Sequence, residues 1–273
     1  MRRRLIHSLI VTPLFLAALP LLAHDMFWRL SAWFVAPGQR VVLPVLNGTF
    51  SVSSNSIAWN RVADLSVVSP AGRVHPDSAA WDTRSDTSRL TWTLGASGTY
   101  VAGLSTKPNV LSMTEEEFEQ YLADDGIPDV LAARRAAPRD TSAVRERYSK
   151  HIKAFFQVGP TRTDTWKGAL GYPAELVPLS NPYEAKVGST IAFRCLVDGR
   201  PVARQLVVVG GRSGSTGDTR LPQRNLRADA DGVVRITFDR PGRWYVKFIR
   251  MTRVSDSGAD YESKWATATF ELR

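Results

Sequence analysis

The chain has 273 residues, and 35 Lys+Arg against 26 Asp+Glu give it a net charge of +9. Hydrophobic residues at 44% and charged residues at 22% exclude a wholly disordered chain, and the length allows one or two domains whose core needs no disulfide. A single cysteine, Cys195, excludes an internal disulfide and a cysteine-built zinc site.

The chain opens on a basic Arg2-Arg3-Arg4, then runs apolar from Leu5 to Leu22 up to the small residue Ala23. This pattern predicts an export signal over 1–23, cleaved behind Ala23. Against a membrane anchor stand His7, Ser8, Pro13 and Pro20 inside the apolar run and the lack of a basic stop-transfer flank. Cleavage leaves 250 residues at +6, three arginines having gone, and an exported chain has little occasion to meet nucleic acid.

A first β-sandwich is predicted over 24–110. Val41 to Leu46, Leu65 to Val68, Leu90 to Leu94 and Tyr100 to Leu104 have strand composition. Turn residues such as Pro37-Gly38, Asn47-Gly48 and Ser97-Gly98 punctuate them. A helical insertion follows over 111–153. Thr114 and Glu117 have capping-box spacing, Phe118, Tyr121 and Leu122 supply an apolar face, and Gly126 ends the helix. A second helix starts at Pro128, and a third is predicted from Thr141 or Ser142, with Val144, Tyr148 and Ile152 four apart. A returning strand and linker take 154–173.

A second sandwich is predicted over 174–273, with strands at Ile191 to Val197, Leu206 to Val209, Val233 to Phe238, Trp244 to Ile249 and Ala266 to Leu272. Cys195 falls on an apolar strand face and reads as inert core. The halves echo each other: Pro37-Gly38 through Asn47-Gly48 corresponds to Val187-Gly188 through Asp198-Gly199, and Gly98-Thr99-Tyr100 to Gly242-Arg243-Trp244. The fold predicted is mainly β, two immunoglobulin-like sandwiches with helices between them.

His24 is the most informative residue. Cleavage behind Ala23 would place an α-amino group and an imidazole on one residue, and these two nitrogens can chelate nickel, cobalt or copper. Asp25 could add an oxygen and His151 a further imidazole. His75 reads as a surface loop residue. Trp59 and Trp81, placed in loops, are candidates for stacking on a sugar. Asp260 and Glu262 stand two apart on one strand face, where a glycan hydrolase would need a second carboxylate opposite them. No nucleophile-elbow, Walker, dinucleotide or zinc-protease motif is present, and Gly210 to Gly217 reads as a strand-connecting loop.

Taken together, several segments resemble a bacterial family of exported proteins associated with cobalt and nickel uptake, whose shared domain is formally of unknown function. They are Ala23-His24-Asp25, Asn47-Gly48-Thr49-Phe50, Gly98 to Gly103, Arg147-Tyr148-Ser149-Lys150-His151, Leu170-Gly171-Tyr172-Pro173, Gly242 to Val246 and Asp260-Tyr261-Glu262-Ser263 with Trp265. The resemblance implies a periplasmic protein of a Gram-negative bacterium, more a binding protein than an enzyme, handing metal to an uptake transporter or outer-membrane receptor. This chain departs from the family pattern in lacking histidine between Gly210 and Leu221 and in carrying Arg250 where relatives have histidine. The alternative reading is a cell-envelope module binding polysaccharide or a protein partner without metal.

Overall fold

The computed structural model describes residues 24–137, 142–213, 219–256 and 258–273. The predicted signal 1–23, the helix start at Thr141 and most of the loop after Ser213 lie outside the described residues. The first half contributes β1 (Asp25–Trp28), β2 (Phe34–Val35), β3 (Arg40–Gly48), β4 (Val62–Ser69), β5 (Gly72–Val74), β6 (Trp81–Arg84), β7 (Thr87–Thr93), β8 (Gly98–Thr106) and β9 (Asn109–Met113). Helices α1 (Glu115–Asp124) and α2 (Pro128–Ala136) precede β10 (Val144–Val158). The second half adds β11 (Ala174–Pro178), β12 (Thr190–Val197), β13 (Arg200–Pro201), β14 (Leu206–Ser213), β15 (Thr219–Arg227), β16 (Val233–Thr237), β17 (Gly242–Asp256) and β18 (Ala259–Leu272). None of the helices among the described residues is long and apolar enough to cross a membrane.

The helix signals hold in detail. Thr114 Oγ1 accepts from the Glu117 amide at 3.2 Å while Glu117 Oε2 accepts from the Thr114 amide at 2.8 Å, closing the capping box. Phe118, Tyr121 and Leu122 are buried, Gly126 turns the chain at φ +74°, and Pro128 occupies the first turn of α2.

The predicted third helix is instead the strand β10. Val144, Tyr148 and Ile152 recur every four residues, a spacing that fits a helix face and, being even, also one face of a strand. The tie is broken by tertiary pairing, since β10 hydrogen-bonds to β18, β8, β9 and β2.

Ten strands form one sheet through both halves, ordered β15-β14-β17-β18-β10-β8-β4-β5, with β2 and β9 also on β10. Two smaller sheets flank it, β1-β3-β7-β6 and β11-β12-β13 with β16 on β12. β10 and β18 run parallel at its centre, from Glu146 opposite Tyr261 to Ala154 opposite Thr269. Around that pair the halves correspond: β1 to β11, β3 to β12, β4 to β14, β7 to β16, β8 to β17 and β10 to β18. The two small sheets pack on opposite faces of the large one.

Side-chain alternation bears this out. From β10, Ile152, Ala154, Phe156 and Val158 enter the core shared with β1, β3 and β7. Phe155 enters the opposite core, with Ile191, Phe193 and Cys195 of β12 and Trp244, Val246 and Phe270 of the central sheet. Burial pushes the Cys195 thiol up to about 12, which keeps it inert.

Lys153, on the same face as Phe155, forms a buried ion pair with Glu175 of β11. Glu175 also accepts from the amides of Leu170 and Tyr172, each at 2.8 Å, and so ties the β10–β11 connection to the sheet. Lys153→Met should cost about 3–5 kcal/mol in chemical denaturation because Glu175 is left buried and uncompensated. The double variant Lys153→Met/Glu175→Gln should lose less than the single one.

Candidate functional site

β1 is short, and both its sides are covered. Met26 and Trp28 enter the first core, while Phe27 turns the other way against Phe50 and Tyr245, ring centroids 5.2 and 5.1 Å away. Asp25, two residues before Phe27, shares its side and pairs with the buried Lys247 of β17. At the head of the strand Lys150 of β10 donates its ammonium to the His24 carbonyl oxygen and, at 2.9 Å, to Asn47 Oδ1. Its Nζ also lies 5.5 Å from the Tyr148 ring and 5.4 Å from that of Trp265. Two buried ammonium groups thus fix the backbone at His24 and the side chain at Asp25.

Two more acids complete the cluster. Glu146 is fully buried, and its Oε1 accepts from Tyr121 Oη at 2.9 Å and from Ser263 Oγ, which in turn accepts from Trp265 Nε1 at 2.9 Å. Burial pushes the Glu146 carboxyl above its ordinary value. Asp125, just past α1, is pushed up to about 7 by burial, with Lys247 opposing and Asp25 adding to the rise. Burial brings Lys150 down to about 8, resisted by the three carboxylates. The imidazole of His24 is held below its ordinary value by burial and by Lys150, so it is neutral at pH 7. Asp25 Oδ1 and Glu146 Oε2 are buried without hydrogen-bond partners.

The other residues singled out in the sequence lie elsewhere. His151 follows Lys150 on β10 and therefore points to the opposite face. Its Nδ1 is 2.9 Å from Ser105 Oγ and its Nε2 3.0 Å from Ser149 Oγ, and burial drives it down to about 3. His24 and His151 are thus separated by the sheet. Trp81 is buried at the start of β6 with its indole N–H on the Ile57 carbonyl at 3.1 Å; Trp59 lies beside it, ring centroids 6.3 Å apart, partly exposed. Asp260 accepts from the Arg145 amide at 2.8 Å and lies 3.5 Å from its guanidinium, and Glu262 lies 3.9 Å from Arg147 and 3.7 Å from Lys264, so each acid faces a cation. His75 pairs with Asp64 at 2.7 Å on the surface. Among the described residues no group of three or more His, Cys, Asp or Glu side chains is placed to hold a metal.

Lys150, Lys247, Asp125 and Glu146 were not legible as site residues in the sequence. One signal was available: in a chain that covers its surface with arginine, three of the seven lysines (Lys150, Lys153 and Lys247) sit in strands and are buried.

The model of a domain of unknown function, DUF4198, matches residues 21–252. The chain belongs to this family. The DUF4198 match takes in His24, Asp25, Asp125, Glu146, Lys150 and Lys247, and leaves Ser263 and Trp265 outside it. No curated protein matches the chain. Among solved structures, the chain is similar at 12% identity to Escherichia coli alpha-2-macroglobulin activated by porcine elastase, covering 91% of this chain and 20% of that one with a TM-score of 0.24. The native conformation of E. coli alpha-2-macroglobulin gives 12% identity, 92% and 14% coverage and a TM-score of 0.23. The chain spans a fifth or less of the length of those chains.

Asp125 makes the cluster pH-sensitive. Its folded value of about 7 lies above the ordinary 3.8, so the folded chain keeps a proton that the unfolded chain has released. The stability this contributes is full below about pH 4 and is lost as pH rises through about 7. Asp125→Asn should flatten the melting temperature across that window and gain most, relative to wild type, at its alkaline end.

Proposed function

We propose that the protein is exported with loss of residues 1–23 and acts in the periplasm as a non-enzymatic binding protein for transition-metal uptake. In this reading His24 is the metal-holding residue. The observation that carries it is the clamp on that residue: a buried lysine donates to the His24 carbonyl, and a second buried lysine holds the neighbouring side chain. Chain termini ordinarily fray. A terminus fixed by ammonium groups withdrawn from water, at a cost that stability alone does not require, is organised for a task.

The donor chemistry fits. The imidazole is held below its ordinary value by burial and by Lys150, which favours the neutral form that a metal takes. Asp25 is committed through Oδ2 to Lys247, and His151 lies across the sheet, so the chelate proposed consists of the two nitrogens of His24. Nickel, cobalt and copper suit such nitrogens, and an uptake transporter or outer-membrane receptor would receive the cargo. The division into two immunoglobulin-like units with a helical insertion belongs to the same reading, supported by the correspondence of the halves around β10 and β18.

Calorimetry with Ni²⁺, Co²⁺ and Cu²⁺ on protein that begins at His24 tests it. One ion should bind per chain, and both His24→Ala and a variant with one extra residue ahead of His24 should weaken binding by at least about tenfold, roughly the loss of one ligand contact. Equal affinity in the extended variant would exclude the α-amino chelate. Mass spectrometry of the exported protein should give His24 as its first residue.

A further inference from the structure

The two nitrogens of His24 leave most of a metal's coordination sphere unfilled, since a transition-metal ion in tetrahedral, square-planar or octahedral geometry takes about four or more donors. The protein offers few others. Among the described residues no group of three or more His, Cys, Asp or Glu is placed to hold a metal, Asp25 is engaged with Lys247, and His151 lies across the sheet. Water or a ligand carried in with the ion must supply the rest. The local charge decides between them: Lys150 stands at the His24 carbonyl and Lys247 at Asp25, while burial shifts the carboxyls of Asp125 and Glu146 toward their neutral forms. A bare dication gains little in such surroundings, and an ion that arrives wrapped in carboxylates gains more.

Receptors for an anion stand next to the clamp. Tyr148 precedes Lys150 by two residues on β10 and shares its face. Lys150 Nζ lies 5.5 Å from the centre of the Tyr148 ring and the Arg61 guanidinium carbon 6.0 Å from it. Arg61, just before β4, is tied to Lys107, just past β8: the Lys107 amide donates to the Arg61 carbonyl at 2.8 Å, and Arg61 Nη2 donates to the Lys107 carbonyl at 2.9 Å. That carbonyl takes one of the five guanidinium hydrogens and leaves the others. Among the described residues no carboxylate forms an ion pair with Arg61 or Lys107. The Tyr148 hydroxyl accepts from Asn109 Nδ2 at 3.2 Å, which leaves its own hydrogen to donate. Lys107 is exposed and Arg61, Tyr148 and His24 are partly so, and a ligand from solvent can reach all four. Two neighbouring cations without an acid repel each other, and a carboxylate between them relieves the repulsion while gaining charge-assisted hydrogen bonds.

We propose that the cargo at His24 is a metal ion already held by a small polycarboxylate, which completes the coordination sphere and extends a further carboxylate to Arg61, Lys107 and the Tyr148 hydroxyl. This assignment rests on the reading of His24 as the metal-holding residue, and it names the chemical form in which the metal arrives. The cations that repel a bare dication then serve as the recognition element for its complex.

Calorimetry at fixed ionic strength on protein that begins at His24 compares Ni²⁺ alone, citrate alone and Ni²⁺ premixed with one equivalent of citrate. The premixed complex should bind at least about tenfold more tightly than Ni²⁺ alone, the worth of one charge-assisted hydrogen bond, and native mass spectrometry should show protein, nickel and citrate together. Arg61→Gln should weaken the premixed complex by about tenfold and leave Ni²⁺ alone bound as well as before or better, a pattern that a damaged fold does not give. Lys107→Gln, a change at an exposed side chain, should act in the same direction. The polycarboxylate complex is excluded as cargo if citrate strips nickel from the protein, if citrate alone matches the complex, or if Arg61→Gln leaves the premixed complex unaffected or weakens both nickel titrants equally. In those cases Ni²⁺ that binds alone and is lost in His24→Ala keeps the His24 reading standing. Nickel that binds in neither form, or a complex that binds His24→Ala undiminished, overturns both.

Discussion

The parallel pairing of β10 with β18 is the constraint from which the rest of the molecule follows. It makes one sheet out of strands from both halves and places their small sheets on opposite faces. Both strands are therefore buried on both sides for most of their length, and successive residues belong to different cores. On β10, Lys150 serves the layer of β1 while His151, its neighbour in sequence, is enclosed among the hydroxyls of Ser105 and Ser149 in the other.

That burial sets the character of the candidate site. A strand covered on both faces has no water to offer a charged side chain, so each ammonium it carries must find its compensation inside the protein. Lys150 meets the His24 carbonyl, Asn47 and two aromatic rings, and Lys247 meets Asp25. The carboxyls around them respond to the same withdrawal from water, Glu146 and Asp125 being shifted toward their neutral forms.

Local signals in the sequence were accurate where the physics is local. The capping box at Thr114 and Glu117, the stop at Gly126, Pro128 in a first turn and the apolar strand face of Cys195 each depend on neighbours a few residues away, and each stands in the structure. The identity of β10 was not legible, because a spacing of four satisfies both periods and the decision lies with strands far off in the chain. The lysines were missed for a related reason: their partners Asp25, His24 and Asn47 are some 100 to 220 residues away, and a lone lysine between apolar residues gives no sign of which acid will meet it. His24 and Asp25 were singled out because an expected cleavage behind Ala23 pointed to them.

Each small sheet opens with a strand that sends a carboxylate to a lysine of the other half: Asp25 of β1 to Lys247 of β17, and Glu175 of β11 to Lys153 of β10. The exchange makes the two units mutually obligate. A chain divided within the β10–β11 connection would leave each fragment with an orphaned lysine in its core, a missing acid and an unpaired central strand as a sticky edge.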